Sequence, residues 1–152
     1  MRFLGNIDAK TDQKGRVFLP SVFRKELQTS GEESLVLRKD VFQQCLVLYP
    51  SEEWNRTIDL MRQKLNRWNP QEQAVYRQFM SEAETVTLDG NGRFLISRRL
   101  LDFAGINGDV KFIGMNETIE IWAKEKTEQP FMSQEDFGNA LASLMKEPPQ
   151  QP

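Results

Sequence analysis

The chain has 152 residues, 39% of them hydrophobic, and 20 Lys plus Arg against 22 Asp plus Glu, for a formal charge of −2. This composition fits one ordinary globular domain or two small ones, and two half-length units would each bury a marginal core alone. With no His and a single Cys, Cys45, the chain has no imidazole for acid–base or triad catalysis, no intrachain disulfide, and too few ligands for a structural zinc site. No apolar run approaches a membrane span and the first residues lack a signal peptide's apolar stretch, so a cytoplasmic location is expected. A generally basic nucleic-acid coat is also excluded. Residues 1–76 hold 12 basic and 10 acidic side chains, residues 77–152 hold 8 and 12, so any nucleic-acid contact requires cations gathered on one face.

In chain order, Gly5–Lys10 reads as a strand leading into the turn Asp12-Gln13-Lys14-Gly15-Arg16. Asp caps such a turn and Gly tolerates its left-handed backbone. The apolar triplet Val17–Leu19 suits a buried strand. Ser21 is the expected cap of a short helix through Leu27, ending near Gly31. Strands are expected at Ser34–Leu37 and Gln44–Tyr49, and Cys45 is expected to be a buried thiol. Ser51 then caps a stretch with Trp54, Ile58, Met61, Leu65 and Trp68 at helical spacing. Pro70 ends it, and Gln71–Phe79 is a further short helix candidate.

The pattern then starts again. Thr85–Leu88 is the expected strand before Asp89-Gly90-Asn91-Gly92-Arg93, which repeats the first turn at a spacing of 77 residues. Phe94–Ile96 follows as the apolar triplet, Ser97 as a cap, Arg98–Ala104 as a helix and Gly105 as its stop. Phe23 matches Leu100 and Leu27 matches Ala104. Strands are expected at Val110–Ile113 and Thr118–Trp122, the latter matching Leu46–Tyr49 at a spacing of 73. Ser133 opens a capping box with Asp136 in place of Glu or Gln. Phe137, Ala140, Leu141 and Leu144 form the apolar face of that last helix. The tail Glu147–Pro152, with three prolines, is expected to be disordered. The ordered series defines two related halves, 1–80 and 81–152.

Each turn alone has an ordinary reading, a capped turn with a solvated Arg. Duplication favours a recognition surface built by repetition, with Arg16 and Arg93 in similar positions. Arg suits that role because its fork pairs bidentately with phosphate or a guanine edge. Lys14, Arg24 and Lys25 add to the first copy and Arg98 and Arg99 to the second. Lys10 and Arg38-Lys39 are candidates to widen the basic area. Asp12 and Asp89 read as structural rather than catalytic, since each serves its own turn and no nucleophile–base set accompanies them. The glycines miss both the dinucleotide fingerprint and the P-loop. No cofactor or metal is indicated. The two apolar helical stripes read most simply as core, with packing between subunits as the alternative.

The ordered motifs resemble the MraZ family of bacterial transcriptional regulators, from about Phe3 to Leu144. The resemblance rests on Asp12-x-Lys14-Gly15-Arg16, Pro20-x-x-Phe23-Arg24, Cys45-Leu46-Val47-Leu48-Tyr49-Pro50 with Glu53-Trp54, Phe79-x-x-x-Ala83, Asp89-x-x-Gly92-Arg93, Ile113-Gly114 and Glu120-Ile121-Trp122. It implies a β-rich α+β fold of two tandem SpoVT-AbrB-type units, forming an intrachain pseudo-dimeric, swapped-hairpin-like barrel with flanking helices. It also implies a non-enzymatic, sequence-specific DNA-binding regulator. That regulator would repress the division and cell-wall gene cluster, including its own gene, at the nucleoid. Its partners would be double-stranded promoter DNA with short direct repeats and further copies of itself, arranged as a ring.

The DNA-facing turn maps onto Lys14, Gly15 and Arg16, with Arg24 in the following helix, and onto Gly92 and Arg93. Asn91 stands where the first turn has Lys14, Ser97 replaces a Pro, and Leu101 stands where the first half has Arg24. These departures predict that the second half binds DNA more weakly or serves mainly in packing. The competing reading is an antitoxin-like protein-interaction or assembly module without a DNA function. A carboxylate enzyme using Asp12 or Asp89 ranks below both.

Overall fold

The computed structural model describes residues 2–32 and 34–146, so the tail Glu147–Pro152 lies outside the described residues. The first half contributes β1 (Asn6–Lys10), β2 (Arg16–Phe18), α1 (Ser21–Ser30), β3 (Ser34–Lys39), β4 (Leu46–Pro50), α2 (Ser51–Lys64) and α3 (Pro70–Ser81). The second contributes β5 (Ala83–Thr87), β6 (Arg93–Leu95), α4 (Arg98–Ala104), β7 (Asp109–Gly114), β8 (Ile119–Ala123), a 3-10 turn at Lys124–Thr127 and α5 (Gln134–Leu144). The order strand, strand, helix, strand, strand thus occurs twice, as the sequence repeat requires.

The halves exchange strands. A six-stranded antiparallel sheet runs β1-β7-β8-β4-β3-β5. β1 pairs with β7 of the other half, Asn6 opposite Ile113 through Lys10 opposite Asp109. β5 likewise pairs with β3, Ser34 opposite Thr87 through Arg38 opposite Ala83. β4 and β8, equivalent strands, meet at the centre with Val47 opposite Glu120. Among the described residues, β2 and β6 pair only with each other. The tandem, pseudo-dimeric α+β architecture is therefore present. Its strands lie in one open six-stranded sheet plus a two-stranded ribbon, with no closed barrel ladder among the described residues. The glycine turns at 15 and 92 carry the chain out of the large sheet, which leaves the two short strands to pair across the pseudo-two-fold axis.

The core lies between the inner face of the large sheet and the layer made by the ribbon, α1 and α4. Val17, Leu19, Phe23 and Leu27 are buried with Phe94, Ile96, Leu100 and Ala104, so the apolar positions matched by the repeat face one another. Phe23 and Phe94 both pack on Phe112, with ring centroids 6.5 and 6.4 Å away. Gly31 and Gly105 stop α1 and α4 in the left-handed conformation, and their N–H groups close the last turns.

Several local expectations are corrected. Pro20 and Pro50, not Ser21 and Ser51, stand at the N-caps of α1 and α2, and each Ser is the first helical residue. The Ser51 hydroxyl instead donates to the Ser34 carbonyl at 2.5 Å, tying α2 to β3. Ser97 is the α4 cap residue but makes no side-chain cap bond; its hydroxyl turns to Glu84 at 2.9 Å. Helix α2 stops at Lys64, and Pro70 opens α3 behind Asn69, whose side chain accepts from the N–H groups of Gln71 and Glu72. Trp68 therefore falls in the connection and is 86% exposed.

The α2 stripe is not core. None of its residues is fully buried, because α2 and α3 lie on the outer face of the sheet. There Trp54 stacks on Phe79 at 5.6 Å and meets Tyr49 edge-on at 5.2 Å. Cys45 is fully buried, and desolvation holds its thiol well above the usual range, so it is an inert packing residue.

Candidate nucleic-acid interface

The two repeated turns have the same geometry. In the first, one Asp12 carboxylate oxygen accepts from the backbone N–H groups of Lys14 and Arg16, each at 2.9 Å. The other accepts from Arg16 Nε at 2.8 Å. In the second, Asp89 accepts from the N–H of Asn91 at 2.9 Å, the N–H of Arg93 at 3.0 Å and Arg93 Nε at 3.0 Å. The Arg16 N–H bond chiefly holds the Asp12 carboxyl below the usual carboxylate range, and the Arg93 N–H bond does the same for Asp89. Gly15 and Gly92 take φ of +91° and +83°, which the turn requires. Both carboxylates are thus spent on orienting an arginine, as expected for a structural role.

The ribbon joins the turns. Val17 lies opposite Phe94, Arg16 opposite Leu95 and Phe18 opposite Arg93. Side chains alternate along a strand, and cross-strand partners share a face. Val17 and Phe94 point into the core at 1% and 2% exposure, so Arg16, Phe18, Arg93 and Leu95 share the outer face. On that face Phe18 and Leu95 are 55% and 54% exposed. The Arg93 guanidinium stands 5.8 Å from the Phe18 ring centre. With each Nε fixed by an Asp, the rest of each guanidinium is pre-oriented on the outer face of the two-stranded ribbon. A ribbon of this width is one of the elements that enters a DNA major groove.

Each turn is also clamped by the opposite half. The Leu19 N–H donates to the Gly92 carbonyl at 3.0 Å, and the Ile96 N–H donates to the Gly15 carbonyl at 2.9 Å. This seats the start of α1 beside the second turn and the start of α4 beside the first. Arg24 lies directly over Gly92, and Leu101 lies over Gly15.

The remaining candidates fall in different surroundings. Lys14 is exposed in the first turn, Lys25 on α1 and Arg98 at the start of α4. Arg99 is committed to Glu84 on β5 at 2.5 Å. Lys10 is exposed on the edge strand β1, near Asp109. Arg38 does not widen the basic area. It is 2% exposed, paired with Glu82 at 3.2 Å, bonded to the Lys39 carbonyl, and laid over the Phe79 ring at 4.0 Å. Strand alternation turns it toward α3, where burial lowers its pKa against the pull of Tyr49 and Glu82. Lys39 lies 4.8 Å from the Phe103 ring centre.

Phe18 and Leu95 were not among the sequence candidates. Each apolar triplet reads as uniformly buried, whereas the period of two exposes its second residue. Arg at one position and an apolar residue two later, in both copies, was the available signal.

The geometry defines a class: a tandem, strand-exchanged protein presenting a pseudo-two-fold arginine ribbon. Comparison with known sequences places it further. The family model described as "MraZ protein, putative antitoxin-like" matches residues 3–78 and again 79–146. A protein of Phocaeicola vulgatus named "Transcriptional regulator MraZ" is 59% identical over 145 residues, covering 95% of this chain and 94% of the relative. Proteins of the same name from Bacteroides fragilis and Clostridium tetani are 56% and 39% identical. They cover 97% and 84% of this chain, and 93% and 85% of their own lengths. The chain belongs to the MraZ family.

Proposed function

We propose that this chain is a sequence-specific DNA-binding transcriptional regulator that docks the β2–β6 ribbon in the major groove. The observation that carries the reading is the convergence of two Asp-held arginines, Arg16 and Arg93, on one exposed ribbon face. The relatives' name, "Transcriptional regulator MraZ", supports it. Arg16 and Arg93 contact guanine edges or phosphates, Phe18 and Leu95 contact thymine methyl groups, and Lys14, Lys25 and Arg98 neutralise flanking phosphates. Gly15 and Gly92 set the turns that aim these groups. Arg99, held by Glu84, contributes field rather than a direct contact.

The finer reading is repression of the division and cell-wall gene cluster, including the chain's own gene, through short direct repeats. Copies bound to neighbouring repeats would reinforce one another through effective concentration. Self-assembly is supported by α5, none of whose residues is buried and whose Phe137, Leu141 and Leu144 are 49%, 43% and 78% exposed. A groove of about 700 Å³ beside α3, with Phe42, Val75 and Phe79 in its wall, offers apolar surface of similar character. A ring is the closed form of such an assembly. The protein would then act in the cytoplasm at the nucleoid. No helix among the described residues is long and apolar enough to cross a membrane.

The halves 1–80 and 81–152 are, on this reading, units of sequence repetition that fold as one body, since each lends its first strand to the other. The antitoxin-like, partner-binding alternative draws on the same exposed α5 face. Binding of a promoter duplex from upstream of the chain's own gene cluster separates the two. Arg16→Ala is expected to weaken it at least about tenfold with assembly intact. Unchanged binding removes the ribbon from the mechanism.

A further inference from the structure

We propose that Arg24 serves the second repeat's turn, completing with Arg93 a two-cation DNA contact that the second half cannot make from its own sequence. This rests on the DNA-binding reading above. Along the chain Arg24 follows the first turn, and the second half has Leu101 in its place. In space the assignment is reversed. The position a Gly92 Cβ would take is filled by Arg24, whose Cδ and Cζ lie 2.8 and 3.0 Å from it and whose Nη1 is closer still. The matching position at Gly15 is approached by Leu101 Cδ1 at 3.2 Å. The Leu19-to-Gly92 hydrogen bond fixes the start of α1 there.

The distribution of cations changes accordingly. The first turn carries Lys14 and Arg16 with Leu101 overhead. The second carries Asn91 and Arg93 with Arg24 overhead. Each turn then has two cations, and the Lys missing at position 91 is made good from the other half. The two sites differ in where the second cation stands: on the turn in one, on the helix above it in the other. A pseudo-symmetric ribbon is thereby given a direction, which is what a direct repeat, unlike a palindrome, demands of each bound copy.

Arg24 is also electrostatically unspent. Arg16, Arg38, Arg93 and Arg99 each have a carboxylate partner. Arg24 has none among the described residues, and its buried Nε has no hydrogen-bond partner. A DNA phosphate beside the ribbon is the ligand whose charge and oxygens match a guanidinium that has no carboxylate partner.

The test uses Arg24→Leu, a side chain the fold already accepts at the equivalent position 101, together with Arg24→Lys. Affinity for the fluorescent promoter duplex is measured over a salt series. Measurements cover wild type, Arg24→Leu, Arg93→Ala, Arg16→Ala and the two doubles containing Arg24→Leu. Arg24→Leu is expected to keep or raise thermal stability, weaken binding about tenfold, and reduce the salt slope by about one, with Arg24→Lys restoring most of the slope. The double with Arg93→Ala should fall short of the product of its single effects by at least about threefold, while the double with Arg16→Ala multiplies. Coupling to Arg16 instead of Arg93, or unchanged binding by Arg24→Leu while Arg16→Ala loses it, overturns this assignment and leaves the DNA-binding reading standing. Unchanged binding by Arg16→Ala and Arg93→Ala overturns both.

Discussion

Val17 and Phe94 face each other at the centre of the β2–β6 ribbon, and they are separated by the repeat spacing itself, 77 residues. Equivalent residues that pair with one another mark a two-fold axis, so the axis relating the halves passes between them. Both are buried, and their neighbours on the strand are therefore turned outward together. The outward display of Arg16 and Arg93 is a consequence of this pairing, since an odd shift in register would bury the arginines instead.

The turn glycines are predicted to be unequal to their neighbour Gly90. Gly15 has a φ of +91°, and a Cβ there would stand 2.6 Å from the Ile96 carbonyl oxygen, a backbone atom that cannot move aside. Gly15→Ala should cost about 2–3 kcal/mol in denaturant unfolding. Gly92→Ala is strained by φ but meets the flexible Arg24 side chain, so its loss should be smaller in stability and larger in DNA affinity. Gly90 has open space around it and no positive φ, and Gly90→Ala should fall within about 0.5 kcal/mol of wild type. Equal losses at all three positions would contradict the packing described.

Asp12 and Asp89 have depressed folded-state pKa values. The unfolded chain therefore binds protons first, so their contribution is complete above the ordinary carboxylate range, near pH 4, and lost as pH falls through the lowered value. Melting curves of wild type and Asp12→Asn should differ by a constant amount from pH 8 to about pH 5, with the gap closing only in stronger acid. A gap that closes between pH 7 and 5 would contradict this ordering.

Phe18 and Leu95 offer a separation of stability from recognition. Both are more than half exposed, so Phe18→Ala and Leu95→Ala should change unfolding free energy by about 0.5 kcal/mol or less. Loss of apolar contact with base edges should still weaken selective binding several-fold and leave binding to shuffled DNA nearly unchanged. Equal loss on both duplexes would assign these residues to non-specific contact.

Helix α5 makes the fourth case. Its apolar residues are exposed, so Leu141→Glu should leave the circular dichroism spectrum and melting of the body intact. If α5 joins copies of the chain, light scattering should show a smaller particle, and binding to a multi-repeat duplex should fall more than binding to a single repeat. An unchanged mass would remove α5 from assembly.

Sequence reasoning reached the repeated turns, their Asp caps and the matched core positions because these are local or strictly periodic, but not the Asp–Arg side-chain pairs, since it left each Arg solvated. It could not assign Arg38, whose partner Glu82 lies 44 residues away on the far side of two helices. Nor could it place Arg24. Repetition states which residues are equivalent but not whether each half packs on itself or on its twin, and strand exchange decided that question. The extent of α2 was overread because the stripe's spacing continues past Lys64 to Trp68, while the backbone leaves the helix at Leu65.

The most direct measurement is equilibrium binding of the full chain to a fluorescent duplex from upstream of its own gene cluster and to a shuffled duplex, across a salt series, for wild type and Arg16→Ala. Selective binding that weakens with salt is expected, at least about tenfold weaker for Arg16→Ala on the promoter duplex while its assembly is unchanged. Equal affinity for the two duplexes at every salt concentration, from folded and assembled protein, would contradict it and turn attention to a protein partner.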